Sequence, residues 1–377
     1  VDVASVSMGS TAGDGLDIEV LTKLGAYDPE AADSQETLEY LEWLVSEGFD
    51  VVELARTTGL DHFGATTAAL SVRGDTLPLA DFDDLGASPE EITAVAASFG
   101  FARSTLETQR FTTSEVDFLR TAMAATDMFT EDEIVYFAQV AGATLSRLAD
   151  AAMSLFVIDV EAPARDAALT RVEDAKRTKE ALALLSVVVD GLEPLFRLHM
   201  AQAIERLHWS SDQASSPDAV RQAIGFVDLV GFSTLSGELS LAELSVVIRE
   251  FEAGAHDLVA AAGARVVKTI GDAVMFTAIE PQAVARAARS LIRELGRKSG
   301  VQASAGLAYG DVLTRGGDFY GPVVNAASRL SDIAIPGEML ATEEFAECCG
   351  GELLFTPAGL RQLKGFPQPV AAVSILL

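Results

Sequence analysis

Apolar positions follow two different rhythms along this chain. From Glu36 they recur at helical spacing, with Leu38, Leu41, Trp43, Leu44 and Val45 preceding Gly48, the pattern of a helix with one buried face. Further helices are predicted over Val51–Thr57, Pro89–Phe99, Ser114–Ala124 and Glu131–Phe156. Ser88-Pro89-Glu90-Glu91 supplies an N-cap followed by proline and acids, and Thr130-Glu131-Asp132-Glu133 has the spacing of a capping box. Strand signals are nearly absent, so 36–164 is predicted to be an all-helical domain. Residues 1–35 are rich in Gly, Asp and Ser, with one apolar patch at Ile18–Leu24; a flexible N-terminal tail is expected there.

A helical connector spans 165–218. In it Leu182, Leu185, Val189, Leu192 and Phe196 alternate at steps of three and four, a seam that suits either a second chain or the chain's own domain. Gly191 and Pro194 interrupt the seam, and a break or kink is expected there. Ser210–Asp218 is polar and reads as a linker.

The rhythm then changes to strands alternating with helices. Strands are predicted at Ile224–Leu229, in a hairpin over Val266–Phe276 and at Gln302–Tyr309, with short ones in the last thirty residues. Helices are predicted at Leu241–Ala261, Pro281–Lys298 and Val323–Ile333. The order β-α-β-β-α-β implies a ferredoxin-like α+β core in 219–377.

Charge narrows the function. The chain carries 56 acidic against 27 basic residues, a net −29 over 377 residues, and such a field repels nucleic-acid phosphates and anionic membranes. The segment Leu79–Ala102 has a helix-turn-helix rhythm, but Asp81, Asp83, Asp84, Glu90 and Glu91 surround it and only Arg103 is near. That composition argues against a DNA-reading helix. Cys348 and Cys349 are adjacent, so no disulfide framework is expected. No apolar run approaches about 18 residues, and the N-terminus lacks the pattern of a signal peptide. These features predict a soluble, cytoplasmic protein without a transmembrane segment. His62 is isolated, and no catalytic constellation shows in the first half.

Three stretches of the second half carry candidate chemistry. In Gly225-Phe-Val-Asp-Leu-Val-Gly-Phe-Ser233, Asp228 leaves an apolar run towards a glycine, a costly place for a carboxylate unless it binds a cation. Lys268-Thr-Ile-Gly-Asp272 sets a lysine on a strand and an acid at its turn. In Asp318-Phe-Tyr-Gly-Pro-Val-Val-Asn-Ala-Ala-Ser-Arg329, Asn325 and Arg329 are four residues apart and share one helix face.

Together, in this order, these stretches resemble the catalytic domain of class III adenylate cyclases, from about Gln222 to Leu377. The resemblance implies that Asp228 and Asp272 hold two divalent metals, Mg²⁺ or Mn²⁺, in each active site. It gives Lys268 and Asp318 the selection of the base: lysine donates and aspartate accepts, which fits N1 and N6 of adenine and mispairs with guanine. Guanylate cyclases of the superfamily usually carry glutamate and cysteine at these positions. Asn325 and Arg329 would orient the ribose and stabilise transition-state charge. Lys364, with Arg315 as a second candidate, would clamp the terminal phosphates, and Gly231 and Phe232 would lie against the triphosphate. The reaction implied is ATP to 3′,5′-cyclic AMP and pyrophosphate, in a homodimer whose two chains contribute to each site.

The segment between Asp272 and Asp318 is short, which resembles an actinobacterial subgroup with an abbreviated dimerisation arm. The start Leu-Glu-Trp-Leu-Val-Ser-Glu-Gly resembles that subgroup's helical regulatory domain, which responds to pH and fatty acids. That implies a fatty acid or lipid as a partner of the helical half, and it offers His199 and His208 as pH-responsive groups. The alternative is a pseudo-cyclase that binds nucleotide and only signals.

Overall fold

The computed structural model describes residues 16–57, 77–78, 88–102, 110–125, 128–163, 167, 169–211, 219–232, 237, 239–299 and 302–376. His62, the 79–87 part of the helix-turn-helix-like segment, Arg103, the first fifteen residues and the linker from 212 to 218 lie outside the described residues. The chain forms two compact units, Val1–Leu195 and Phe196–Leu377.

In the first unit, helices α1 (Ile18–Lys23), α2 (Ser34–Ser46) and α3 (Val51–Thr57) bury Leu21, Tyr40, Leu41, Leu44, Val51 and Leu54 in one cluster. The apolar patch expected within a tail is therefore a helix: Asp17 caps it by accepting from the Val20 amide, 3.1 Å away, and Leu21 is fully buried. Helices α4 (Pro89–Ser98), α5 (Thr113–Ala124) and α6 (Glu131–Phe156) follow. Ser88 with Glu91 forms a reciprocal capping box and the Thr130 hydroxyl accepts from the Glu133 amide, so both polar starts read from sequence set helix ends; Thr112 with Glu115 forms a further box. One feature was not anticipated. Strands β1 (Leu77–Pro78) and β2 (Arg110–Phe111) pair antiparallel, so the described part of this unit is not purely helical; two-residue strands are too short to leave an alternating pattern.

Helix α6 and its continuation to Glu161 are long and apolar enough to cross a membrane, by length and composition only. Counting uninterrupted apolar runs misses this, because Gln139, Thr144, Ser146, Arg147 and Asp150 punctuate the helix.

Helix α7 (Arg171–Ser211) runs through Pro194. The expected break at Gly191 and Pro194 does not end the helix; a proline forfeits one backbone hydrogen bond, a loss of ~3 kcal/mol that a long helix can absorb. Val189 is 64% exposed and Phe196 58%, so these seam positions are not packed against the described residues. The side chains of Leu182 and Leu185 lie outside the described residues.

The second unit is built on an eight-stranded sheet. Strands β3 (Ala219–Leu229), β4 (Arg265–Ile270), β5 (Ala273–Ala278) and β6 (Ala303–Arg315) stand in the order β4-β5-β3-β6, all antiparallel. Helix α8 (Leu241–Ala261) joins β3 to β4, and α9 (Pro281–Ser299) joins β5 to β6. This is the predicted β-α-β-β-α-β unit. The sheet continues through β8 (Met339–Thr342), parallel to β6, to β10 (Val370–Ile375) and β9 (Phe355–Arg361), while β7 (Asp318–Tyr320) pairs with the end of β6.

One face of the sheet packs Phe276, Val227 and Leu307 against Phe251, Ala255 and Val259 of α8 and Val284, Ala288 and Leu291 of α9. The other face packs Ile224, Phe226, Met275 and Ala308 against Ala326, Ala327 and Leu330 of helix α10 (Pro322–Ile333). That contact is close. A Cβ at Gly306 would lie 2.0 Å from the Ala327 carbonyl oxygen and 2.2 Å from the Ser331 nitrogen, so only glycine lets the helix backbone settle on β6.

Candidate active site

The site lies where β3 and the β4–β5 hairpin end. Asp228 is the penultimate residue of β3, in register with Ala273 on one side and Ser304 on the other. The Leu229 amide donates to the Asp272 carbonyl oxygen at 3.1 Å, which locks the strand end to the hairpin turn. Gly271 makes that turn at φ +63°, a left-handed conformation that favours glycine. Burial pushes the Asp228 carboxyl up to about 6, with further upward pushes from Asp272 and Asp332; the Leu229 amide opposes them. The sequence therefore gathers carboxylates at a half-buried strand end, which is the donor chemistry of a hard divalent cation.

The second pair forms elsewhere on the same hairpin. Lys268 of β4 makes an ion pair with Asp318 of β7. Asp318 also accepts from the Phe319 amide at 2.9 Å, which fixes its carboxylate. Gly316 and Gly317, both at positive φ, turn β6 into β7 with Arg315 opposite Asp318, a two-residue hairpin whose left-handed positions favour glycine. Arg265, also on β4, stacks 5.8 Å over the Phe319 ring. Two adjacent residues of β7 are thus clasped by two cations of β4.

Asn325 and Arg329 lie on α10, which starts at Pro322 after Gly321. Asn325 is exposed. The Arg329 guanidinium donates to Asp332 Oδ2 at 2.7 Å. Lys364 is exposed on the turn after β9, while its neighbour Leu363 is buried in the cluster that holds Phe319 and Leu330. Arg315 is exposed beside the Gly316-Gly317 turn. Gly231 sits just past β3 at φ +79°, and Phe232 packs against the helix-covered core.

A direct contact joins Lys268 to Asp318, and the Leu229–Asp272 backbone bond brings Asp228 near Asp272; no described hydrogen bond or ion pair joins Asn325, Lys364 or Phe232 to either pair. Two contributors escaped the sequence reading. Asp332 could have been found from its three-residue spacing to Arg329. Glu252 of α8, which accepts from the Thr269 hydroxyl at 3.0 Å and so braces β4, left no signal, because its partner is known only from the fold.

No protein-family model matches the chain. A Mycobacterium tuberculosis protein of uncharacterised function is 31% identical over 374 residues, which span 96% of this chain and 95% of that protein. An adenylate cyclase of Streptomyces coelicolor is 34% identical over 221 residues, 58% of this chain and 57% of its own length. Over that stretch the chain is similar to adenylate cyclases. A pH-sensitive adenylate cyclase of Mycobacterium tuberculosis is 30% identical over 249 residues, 62% of this chain and 60% of that one. Among solved structures, the adenylyl cyclase CyaB from P. aeruginosa shares 20% identity and a TM-score of 0.39 over 42% of this chain and 95% of its own. A bacterial light-regulated adenylyl cyclase shares 21% identity and a TM-score of 0.38 over 51% of this chain and 64% of that one.

Proposed function

We propose that this protein is an adenylate cyclase that converts ATP to 3′,5′-cyclic AMP and pyrophosphate in a homodimer. The observation that carries the choice of ATP is the Lys268–Asp318 pair, a fixed donor beside a fixed acceptor. Each matches one atom of the adenine edge, N1 for the lysine and N6 for the aspartate.

Asp228 and Asp272 are the residues that would hold Mg²⁺ or Mn²⁺; two such ions, when bound, supply charge neutralisation at the attacking and leaving oxygens. The fit rests on crowded carboxylates at Asp228, which favour a cation. In the reaction the ribose 3′-oxygen forms a bond to the α-phosphorus, the bond from that phosphorus to the bridging oxygen breaks, and the 3′-hydroxyl proton leaves to solvent. Arg329 donates to charge developing on the phosphoryl oxygens, and Asn325, one turn away, orients the ribose. Lys364 and Arg315 bind the outer phosphates, with Gly231 and Phe232 against the chain of phosphates.

A homodimer gives each site the metal-holding carboxylates of one chain and the adenine-reading pair of the other. Exposure of the Val189 and Phe196 seam supports a second copy alongside α7. The helical half, 36–164 with its connector, is the regulatory part. The likeness to a pH-sensitive adenylate cyclase favours pH as an input, and His199 and His208, both exposed on α7, are the groups to test.

The deciding experiment incubates the chain with Mn²⁺ and ATP or GTP and separates the products. Cyclic AMP from ATP, with far less cyclic GMP from GTP, is expected. Nucleotide binding without turnover would favour the signalling pseudo-cyclase instead.

A further inference from the structure

Strand β4 does not alternate regularly. Val266 pairs with Phe276 and Lys268 with Met275, so Val267 is the extra residue of a β-bulge. In a regular strand, residues three apart point to opposite faces of the sheet. The bulge resets that alternation. Val266 packs with the core beneath α8 and α9, whereas Val267 packs with the cluster on the other face, which holds Met275 and Phe319. Arg265 and Lys268 therefore share the face that carries β7. There Lys268 meets Asp318, and the Arg265 guanidinium lies 5.8 Å over the Phe319 ring.

Arg265 is expensive to keep in this place. Its Nε is buried without a hydrogen-bond partner among the described residues, and a terminal nitrogen donates to the Val266 carbonyl oxygen at a long 3.5 Å. Packing alone does not account for so thinly bonded a guanidinium, because an apolar side chain would pack at lower cost. What the charge gains is the ring face. That ring belongs to the residue whose amide donates to Asp318 Oδ1 at 2.9 Å, while Lys268 holds Oδ2. Fixing Phe319 thus fixes the carboxylate, which otherwise follows a short hairpin turned by two glycines. We infer that Arg265 is a positioning residue for base selection: through Phe319 it aims Asp318 at the N6 amino group of adenine. The inference rests on the base-reading pair proposed above and adds a residue outside that pair.

Two ligands that cannot cyclise isolate the contribution of Asp318. 3′-Deoxy-ATP lacks the attacking hydroxyl, and its purine counterpart also lacks the N6 amino group from which Asp318 would accept. Calorimetric titration of the full chain in Mn²⁺ measures both affinities. The wild type is expected to bind 3′-deoxy-ATP at least about tenfold more tightly, because only that ligand offers a donor to the charged acceptor. Arg265→Gln should weaken 3′-deoxy-ATP about fivefold, as loss of a cation over a ring, and leave the purine analogue within about twofold. Arg265→Lys keeps a cation over the ring and should preserve the preference to within about twofold. Phe319→Leu keeps apolar volume but loses the ring. It should match Arg265→Gln, and the double variant should lose no more than either one.

Equal weakening of both ligands in Arg265→Gln would overturn the inference, since a residue that only supports the fold affects them alike. So would wild-type affinities in that variant, a loss in Arg265→Lys as large as in Arg265→Gln, or additive losses in the double variant. In each of these cases the wild-type preference still upholds the base-reading pair. If the wild type binds the two ligands equally, the base-reading pair itself fails, and the inference falls with it.

Discussion

Lys268 and Asp318 are fifty positions apart in sequence and joined by a direct ion pair. Lysine can only donate and ionised aspartate can only accept, so exchanging their chemistry exchanges the base the pair can read. The variant Lys268→Glu with Asp318→Cys is expected to lose at least about 100-fold in kcat/KM for ATP, with GTP gaining relative to ATP. Steady-state kinetics with both nucleotides checks this; an undiminished ATP preference would remove the assignment.

The proposed dimer makes a sharper prediction. Lys268 and Asp272 lie on one hairpin but would serve different active sites. Lys268→Ala and Asp272→Ala chains, each inactive alone, should complement when mixed, because one of the two sites then receives both intact residues. A statistical mixture would recover roughly a quarter of wild-type activity, since half the dimers are mixed and each has one working site. Complete inactivity of the mixture would sink the shared-site arrangement.

Asp228 links function to stability. Its carboxyl is raised from 3.8 to about 6 in the fold, first by burial and then by Asp272 and Asp332. As pH rises, the unfolded chain ionises this group first, so the fold loses stability between about pH 4 and 6. Asp228→Asn removes that loss. In metal-free buffer at pH 7.5 it should stabilise the chain by about 1.5 kcal/mol, after discounting for a half-exposed group, and at pH 4 the gain should vanish. Thermal melts at the two pH values measure it. Cyclic AMP formation by the same variant should fall at least about 1,000-fold.

Gly306 is the structural counterpart. Gly306→Val drives a branched side chain into the α10 backbone at Ala327 and Ser331. A loss of about 3 kcal/mol is expected, read from denaturant unfolding, together with loss of activity as Asn325 and Arg329 shift. Gly254→Ala, where a Cβ meets nothing within 4 Å, should be tolerated by comparison.

Much of this site was legible because it depends on residues close in sequence. The hairpin around Gly271, the capping signals at Ser88 and Thr130, and the four-residue spacing of Asn325 and Arg329 are all local. Helices Glu131–Phe156 and Leu241–Ala261 have the predicted bounds, because their caps and apolar stripes agree. Non-local features were harder to read. Strand β6 runs six residues past the predicted Tyr309, to Arg315, because Gly310 and Asp311 interrupt the strand signal while pairing with β3 and β7 carries the strand on. Of the break or kink expected at Gly191 and Pro194, the break does not occur, since α7 runs on to Ser211. Glu252 does not signal its role until the fold sets it beside Thr269.

The site's cations also bear on how substrate arrives. Lys268 is engaged by Asp318 and Arg329 by Asp332, within a chain whose net charge is −29. A free nucleotide polyanion therefore meets repulsion at long range and finds these two attractive groups already screened by their own partners. Neutral salt, which shortens that repulsion to about 10 Å at 0.1 M, should speed the encounter rather than slow it. The kinetically preferred form of the substrate is then the one that carries its own cation to the door.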